Sequence, residues 1–404
     1  MGHLLSTKSS LVPLIDRLNR YPIGLVDSAK LREILTLLFT EQEAFVASRF
    51  PLHEATAREL GDLTGLPAAQ LQAILESMAD KGLVMDLPYA DQTFYLLVPG
   101  LIGFMEFTFM RRKPTLTAPV PVADLARLMS DYLHENGRAG QRGEFFGSPT
   151  QLTRALVYPE HIPVSSRITA YEDARRIIEE ADYRAVTLCY CRHKKEHQNQ
   201  PCRKGAPVED ICMVLGEGAR FLVRRGFAHE LDKAAMLATL ERASALGLTH
   251  VTDNVRERPS FICNCCRCCC ELMGGVQSGF SDGIAKTPFL AQVDETRCNY
   301  CGACLKTCNV KCIGLAAGAR TLPKDARYAG VDTSICLGCG ACIGVCEQGA
   351  IHLIPRPDPR TPPKNRGLMF ARILWEKGRL WPFVADRLQQ QWLRLRLRGR
   401  FRPS

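Results

Sequence analysis

Two copies of one cysteine spacing lie between Cys298 and Cys346. In each copy three cysteines follow at intervals of three residues, and a fourth comes four residues later. The eight positions are Cys298, Cys301, Cys304, Cys308, Cys336, Cys339, Cys342 and Cys346. A chain with this pattern must bring many thiols together within two tight loops.

The spacing suits a cluster of four irons and four sulfides, which needs four thiolates directed at four corners. Three cysteines two residues apart let one loop reach three of these corners, and the fourth thiolate must come from elsewhere. Zinc sites and disulfides are the alternatives, but zinc sites typically pair C-x2-C units across longer gaps. The spacing therefore favours iron–sulfur clusters.

The segments "CNYCGACLKTCNVKCIGL" and "CLGCGACIGVCEQGAIHL" resemble a bacterial-type two-cluster ferredoxin, and each follows a segment that can pair as a strand. The resemblance implies two 4Fe-4S clusters, with the last cysteine of each run crossing to the other cluster. It assigns cluster 1 to Cys298, Cys301, Cys304 and Cys346, and cluster 2 to Cys336, Cys339, Cys342 and Cys308.

This stretch departs from the ferredoxin pattern at three positions. The family usually has proline after the fourth cysteine, whereas Asn309 and Glu347 stand there in this chain. The difference affects the turn and the cluster potentials more than the clusters themselves. Cys312 stands where the family has a small apolar residue, and we expect it to be a packed thiol rather than a ligand.

Ten further cysteines lie upstream and form candidates for a further metal centre. They are Cys189, Cys191, Cys202, Cys212, Cys263, Cys265, Cys266, Cys268, Cys269 and Cys270. Three interpretations remain open: further iron–sulfur clusters, zinc, or thiols used for redox chemistry or packing. The neighbouring ferredoxin-like stretch favours iron, since a third centre would extend an electron path. The run "CNCCRCCC" cannot place all its thiols on one metal, because adjacent residues of an extended chain point apart.

The local sequence predicts the setting of some of these thiols. The alternation in "YRAVTL" predicts a strand with Cys189 and Cys191 at its end, both directed to one side. Cys212 is predicted near the start of a helix that begins at Pro207, where the helix dipole would favour a thiolate. His193, His197, His229 and His250 are candidate ligands or proton donors, and His193 is the one we favour because it neighbours Cys191.

A wider resemblance involves "LCYCRH", "PVEDICMVLGEGARFL" and "FICNCCRCCC" ahead of the two-cluster stretch. This combination is similar to a group of multi-cluster iron–sulfur proteins of anaerobic bacterial metabolism, which also begin with a winged-helix-like region. The resemblance implies electron transfer and supplies no substrate.

The N-terminal region shows helical periodicity. A helix over "SAKLREILTLL" has an apolar face, and Thr40 with Glu43 predicts a capping box at the next helix. The segment that follows predicts two helices joined by a turn at residues 65–67, and then a two-stranded hairpin in "VMDLPYADQTFYLLV". This order is typical of a winged helix. The apolar face consists of Leu31, Ile34, Leu35 and Leu38.

Charge argues against DNA as the partner of this region. Residues 53–95 contain two basic and seven acidic side chains, whereas neutralising phosphate needs the opposite sign. We therefore expect a surface for docking a protein, and we do not expect nucleic acid as a partner.

The C-terminal tail carries the net charge of +10, since residues 356–404 hold 13 Lys/Arg and 3 Asp/Glu. Its predicted helix presents Val384, Leu388, Trp392 and Leu395 on one face. Such a helix either covers the protein's own core or docks on an anionic membrane surface or an acidic partner. The sequence has many thiols and shows neither a signal peptide nor an apolar run of about 20 residues. We therefore expect a cytoplasmic protein, with peripheral membrane contact as an option.

These patterns predict a multi-domain α+β protein with a helical winged-helix-like domain, a Cys-rich helical domain, a ferredoxin-like module and a basic helical tail. The predicted boundaries are 1–27 for an N-terminal helix and loop, 28–115 for the winged-helix-like domain, 116–180 for a helical linker region, 181–280 for the Cys-rich domain, 285–357 for the two-cluster domain and 358–404 for the tail.

The function expected from the sequence is electron transfer between an acidic redox protein and an oxidoreductase. Two alternatives remain: an enzyme with a site-differentiated cluster in the 189–270 region, and a redox-sensing winged-helix regulator. No nucleotide-binding glycine pattern or hydrolase constellation accompanies the cysteines, so no catalytic residue is assigned.

Overall fold

The computed structural model describes residues 7–117, 120–162, 170–323 and 326–388. The chain forms two compact units, one with residues 1–148, 224–227 and 370–404, the other with residues 149–223 and 228–369. Helices and strands are mixed in an α+β fold, as the sequence predicts. Within the described ranges, no helix combines the length and apolar character needed to cross a membrane.

The first unit consists mainly of helices around a small antiparallel sheet. Its helices are α1 (Thr7–Leu18), α2 (Ala29–Leu38), α3 (Glu41–Ser48), α4 (Ala57–Thr64), α5 (Ala68–Asp80), α6 (Met105–Phe107), α7 (Val122–His134) and α8 (Gln141–Phe146). Its strands, in the spatial order β1-β3-β2, are β1 (Ala55–Thr56), β2 (Val84–Tyr89) and β3 (Gln92–Leu97).

Local sequence signals in this unit are confirmed. The Thr40 side chain caps α3, and Glu43 completes the predicted capping box. The hairpin of β2 and β3 forms in the predicted segment, and β1 adds a third strand that the sequence did not indicate. The residues of the predicted apolar face of α2 are all buried, namely Leu31, Ile34, Leu35 and Leu38.

Three acidic residues of this region form ion pairs with Arg225 within the unit. The Arg225 guanidinium lies 2.5 Å from Glu76 Oε1, 2.8 Å from Asp80 Oδ1 and 2.9 Å from Asp86 Oδ2. Burial raises the pKa of the Asp86 carboxyl, but hydrogen bonds from Arg225 and Arg224 outweigh burial and leave this pKa below its ordinary value. Several of the acids that argue against DNA binding therefore join α5 and β2 to residues 224–227.

The second unit combines short helices with three antiparallel sheets. The helices that begin in it are α9 (Ala174–Glu180), α10 (Tyr190–Glu196), α11 (Gly216–Arg224), α12 (Lys233–Ala245), α13 (Glu271–Gln277), α14 (Ala303–Thr307) and α15 (Arg366–Glu376). Its strands are β4 (Thr153–Ala155), β5 (Arg184–Thr187), β6 (Cys212–Leu215), β7 (Ala228–Glu230), β8 (Thr249–Asp253), β9 (Phe261–Cys265), β10 (Phe289–Val293), β11 (Ile313–Leu315), β12 (Ala329–Val331) and β13 (Ile351–Pro355).

The Cys-rich region is built on a six-stranded sheet in the order β4-β8-β9-β6-β5-β7, so the prediction of a helical domain is wrong. Strands such as β8 are buried along their whole length. Four of the five residues of β8 are nevertheless polar, so its sequence shows neither an apolar run nor the apolar–polar alternation that would have identified it as a strand. The segments preceding the two cysteine runs are confirmed as strands: β10 pairs with β13, and β12 pairs with β11.

Two local predictions around the upstream cysteines need correction. The predicted strand β5 forms, but it ends at Thr187, and Cys191 lies in helix α10 rather than at a strand end. Cys212 begins strand β6 and pairs with Thr187, so no helix dipole acts on it. The pairing of β6 with β5 and β9 on either side determines this conformation more strongly than the local start signal at Pro207.

Replacing Arg225 with methionine should lower the free energy of unfolding by about 2 kcal/mol, because Asp86 is 6% exposed and loses charged hydrogen bonds. Urea titration followed by circular dichroism measures this change. Arg127→Met is the matched control, since Arg127 pairs with the exposed Asp124. Because the pKa of Asp86 is lowered in the folded state, the effect should persist above about pH 4 and fade as the pH drops through the folded pKa. Equal losses in both variants would contradict this account.

Candidate metal centres

The thiols of the second unit lie around one buried core. Every cysteine of the chain except Cys301 and Cys339 belongs to this apolar cluster or packs against it. None of the thiols forms a disulfide. The core therefore collects groups that bind soft metal ions, and the geometry divides them into separate sets.

The fourth cysteine of the first run lies with the first three of the second run. Cys308, Cys336, Cys339 and Cys342 line one cavity between the two loops. Burial raises the pKa of the Cys339 thiol to about 11. The structure thus brings together the four thiols that the ferredoxin resemblance assigns to cluster 2.

The other four thiols of the two runs also lie close to one another. Burial raises the pKa of the Cys304 thiol to about 11, and the charges of Cys298, Cys346 and Cys301 act in the same direction. Backbone N–H groups donate to two of these sulfurs, from Ala329 to Cys298 Sγ at 3.4 Å and from Ala350 to Cys346 Sγ at 3.3 Å. Such N–H···S contacts are typical of sulfur atoms that carry negative charge.

The residues around both sets fit 4Fe-4S clusters. In the described residues, one group of three or more metal-ligating side chains has all its ligand atoms within 4.8 Å of one another, and it belongs to neither set. The thiols of both sets therefore lie farther apart than the ligands of a single metal ion. The loops also approach closely, since a Cβ atom on Gly338 would lie 2.0 Å from Phe289 O, and the φ of Gly338 is +72°. Only glycine suits this position.

Cys312 is a fifth thiol at the cavity of cluster 2. Its Sγ lies 3.5 Å from Cys308 Sγ, and it also contacts Cys336. Hydrogen bonding to Cys312 lowers the pKa of Cys308 and of Cys336 to about 6, whereas the pKa of Cys312 itself is raised. These pKa directions favour the proton on Cys312 over Cys308 and Cys336. The role of Cys312 as a packed thiol rather than a ligand stays a prediction.

Asn309, which replaces the usual proline, connects the ferredoxin-like stretch to the sheet. Its Nδ2 donates to Gly247 O at 2.8 Å and to Thr249 Oγ1 at 2.9 Å, and its Oδ1 accepts from Arg267 N at 3.2 Å. Because Thr249 Oγ1 accepts from Asn309, its proton is available for Cys339 Sγ, which lies 3.6 Å away. Proline could make none of these side-chain bonds.

Four of the upstream cysteines form a separate set that we call the four-thiol group, and it lies beyond the end of β9. The Sγ atoms of Cys202 and Cys268 lie 3.7 Å apart, and the Sγ atoms of Cys268 and Cys269 lie 3.6 Å apart. A tetrahedral ion with bonds of about 2.3 Å places its thiolates about 3.8 Å apart. The group therefore fits one Zn²⁺ or one iron ion, whereas a four-iron cluster would hold the thiolates farther apart. Its members are Cys202, Cys266, Cys268 and Cys269.

The remaining six upstream thiols contact one another, and we call them the six-thiol ring. They are Cys189, Cys191, Cys212, Cys263, Cys265 and Cys270. The run "CNCCRCCC" thus divides between two sites, as its length requires. Spacing alone did not indicate which thiol belongs to which site.

Two buried cations lie beside these sites. Arg192 is 2% exposed and lies near Cys189 and Cys212 of the ring as well as Cys266 of the four-thiol group. Lys204 donates to Gly247 O at 2.8 Å and Thr307 O at 2.9 Å, and burial lowers its pKa. Cationic neighbours of this kind offset the charge of buried thiolates.

Two buried histidines contact polar side chains near the thiol sets. His193 is fully buried, and its Nε2 lies 3.0 Å from His197 Nε2. His250 contacts Asn264 Oδ1 at 2.6 Å and Ser244 Oγ at 2.9 Å, and burial lowers its pKa to about 4. Neutral His250 is therefore expected to help position the strand that carries Cys263 and Cys265.

Comparison with known proteins identifies one family match. The model of the 4Fe-4S binding domain family matches residues 329–352, which include the second cysteine run. No curated protein and no solved structure matches the chain significantly. Together with the cysteine sets, the family match shows that this is an iron–sulfur protein with a 4Fe-4S binding domain.

Sequence reasoning missed the roles of Thr249 and Asn309 beside cluster 2. The absence of proline after Cys308 was the visible signal, but the partners of Asn309 come from residues 247–267 and could not be read from spacing. The division of the upstream thiols likewise depends on strand pairing, because Val251 pairs with Cys263 and Thr249 with Cys265.

Replacing Cys268 with serine should remove one metal ion per chain and no sulfide, because the four-thiol group has the dimensions of a single-ion site. Elemental analysis combined with sulfide determination measures both quantities. Cys312→Ala is the control thiol variant and should keep the full metal content. A loss of about four irons with sulfide from Cys268→Ser would instead indicate a cubane.

Thr249→Val should make the reduction potential of one cluster more negative, because the variant loses an O–H donor that stabilises the added charge on Cys339 sulfur. Redox titration monitored by electron paramagnetic resonance measures the shift. Thr252→Val is the matched control, since Thr252 lies on the same strand and donates to Phe261 O and Asp253 instead of sulfur. Unchanged potentials in Thr249→Val would show that this contact does not tune the cluster.

Proposed function

We propose that this protein is an electron carrier with two 4Fe-4S clusters in a ferredoxin-like module. Cluster 1 is assigned to Cys298, Cys301, Cys304 and Cys346, and cluster 2 to Cys336, Cys339, Cys342 and Cys308. The observation that carries the proposal is the crossing of the runs, because Cys308 of the first run lies at the cavity lined by cysteines of the second. Zinc and disulfides do not require such crossing.

The closeness of the two thiol sets of the cysteine runs supports electron transfer between the proposed clusters. The charge of Cys304, in the set of cluster 1, acts on Cys342, in the set of cluster 2. Lys204 lies near Cys308 and Cys339 of cluster 2 and also near Cys266 and Cys268 of the four-thiol group. An electron entering at one cluster therefore has a second acceptor close by, with buried positive charge along the path.

Surface charge and exposed aromatic groups indicate a redox partner of acidic character. Trp375 is 66% exposed and Trp381 is 72% exposed, within the basic C-terminal region. Trp392 and Leu395 of the predicted apolar face lie outside the described residues. We propose that this region contacts an acidic electron donor or acceptor, with an anionic membrane surface as the alternative target.

The helices and hairpin of the first unit support the winged-helix-like interpretation, since α4, α5, β2 and β3 follow one another in the expected order. The exposed part of this region is poor in the basic residues that DNA binding needs. We propose that it docks a protein, such as the oxidoreductase that the carrier serves.

Anaerobic purification tests the proposed function. About eight irons and eight sulfides per chain are expected from the two runs, and the clusters should be reduced and reoxidised reversibly. Reduction with dithionite followed by electron paramagnetic resonance measures this behaviour. A colourless preparation that contains zinc and no sulfide would contradict the proposal.

A pair of thiol variants tests the ligand assignment. Cys339→Ala should lose about four irons and four sulfides, because it removes a ligand of cluster 2. Cys312→Ala should keep both clusters, because Cys312 is expected to donate a hydrogen bond rather than bind iron. Iron and sulfide determination on both variants measures the difference. Cluster loss in Cys312→Ala but not in Cys339→Ala would overturn the assignment.

A further inference from the structure

The six-thiol ring is closed, and each of its thiols contacts two others. Cys189 contacts Cys191 and Cys212, and Cys270 contacts Cys191 and Cys265. Cys263 completes the ring through its contacts with Cys212 and Cys265. The order around the ring is Cys189, Cys191, Cys270, Cys265, Cys263 and Cys212.

Rigid elements from distant parts of the chain hold the ring. Cys263 and Cys265 lie two residues apart on β9 and therefore point to the same face of the sheet. Cys212 begins the neighbouring strand β6. Cys189 and Cys270 immediately precede helices α10 and α13, and Cys191 lies in the first turn of α10. The ring is therefore assembled by the tertiary fold and not by one flexible loop.

The ring lies in the interior of the second unit. Five of its members are less than 10% exposed, and Cys263 is partly buried. Six thiols that each contact two others in a closed ring exceed what packing requires, since a buried cysteine normally behaves as a small apolar side chain. Thiol groups that converge in this way are typical of metal ligands.

A buried cation with unused donors points to an anionic ligand at the ring. Arg192 Nη2 donates to Asn264 O at 2.7 Å. Its Nε and Nη1 are buried and have no hydrogen-bond partner among the described residues. Buried N–H groups are nearly always paired, and an unpaired one costs about 1–3 kcal/mol. The guanidinium lies beside Cys189 and Cys212, so thiolate or sulfide sulfur at the ring would supply the acceptors.

The number of thiols sets the kind of metal centre. A single tetrahedral ion takes four thiolates, and the separate four-thiol group already has the dimensions of such a site. A ring of six thiolates needs at least two metal ions to use all of its ligands. Unlike two zinc ions, an iron–sulfide cluster brings additional sulfur acceptors for Arg192. It also matches the iron–sulfur chemistry of the adjacent clusters.

We propose that the six-thiol ring holds one polynuclear iron–sulfur centre, with Arg192 as its cationic hydrogen-bond donor. Binding converts the ring thiols to thiolates and releases their protons. The centre is separate from the two ferredoxin-like clusters, and the proposal does not depend on the electron-carrier function.

Native mass spectrometry of the full-length protein tests the proposal after anaerobic reconstitution with ferrous iron and sulfide. The wild-type mass should exceed the mass of two 4Fe-4S clusters plus one further ion by at least two irons with sulfide. A wild-type protein without this excess would overturn the proposal, and this outcome needs no variant. Zinc without sulfide at the ring would also overturn it.

Two double variants locate the excess. Cys212→Ser/Cys263→Ser should lose the whole excess in one step and keep the ferredoxin-like clusters, whose electron paramagnetic resonance signals show that the unit still folds. Cys202→Ser/Cys268→Ser is the matched control and should keep the excess while losing one ion. Excess iron that survives in the ring variant would contradict the proposal. A wild-type protein that holds the excess iron but lacks the ferredoxin-like clusters would instead count against the electron-carrier function.

Arg192→Lys and Arg192→Gln separate the role of charge from the role of the unused donors. Both variants should keep the excess iron, because neither removes a thiol. The reduction potential of the ring centre should become more negative in Arg192→Gln than in Arg192→Lys, since only the former removes the positive charge. Identical potentials in both variants and the wild type would show that Arg192 does not act on the centre.

Discussion

Concentrated thiolate charge in an apolar core is the constraint on which the second unit depends. An isolated charge is costly to bury, and it becomes tolerable only when metal ions, cations or hydrogen-bond donors compensate for it. The unit supplies the last two from its own chain. Backbone N–H groups of Ala329 and Ala350 donate to sulfur, Thr249 offers a hydroxyl, and Arg192 and Lys204 supply buried positive charge.

The buried cations among these compensating groups each lie near two of the thiol sets. Arg192 lies near thiols of both the six-thiol ring and the four-thiol group, and Lys204 lies near the four-thiol group and the thiols assigned to cluster 2. Cys304 and Cys342 lie near each other and belong to the thiol sets assigned to clusters 1 and 2. A zinc ion in the four-thiol group would be redox-silent and would stabilise the fold around the proposed electron path. An iron ion there would add a further step to that proposed path.

The parts of this arrangement that depend on local spacing were predictable, and those that depend on strand pairing were not. The two cysteine runs, the strands before them and the apolar face of α2 follow from patterns within a few residues. Cys212 was misplaced on a helix because pairing with β5 and β9 outweighs the local signal. The run "CNCCRCCC" changes site where β9 ends at Cys265 and again at Cys270, which precedes α13 and returns to the six-thiol ring. A continuous run of cysteines conceals both boundaries.

The central claim is that thiolates from both cysteine runs hold two four-iron clusters, with each run completing the site of the other. Crystals of the anaerobically purified protein, with anomalous scattering recorded at the iron absorption edge, test it most directly. At the two cysteine runs the account predicts two strong iron peaks, one among Cys308, Cys336, Cys339 and Cys342 and the other among Cys298, Cys301, Cys304 and Cys346. Peaks at the zinc edge in these positions, or iron bound by each run alone, would contradict it.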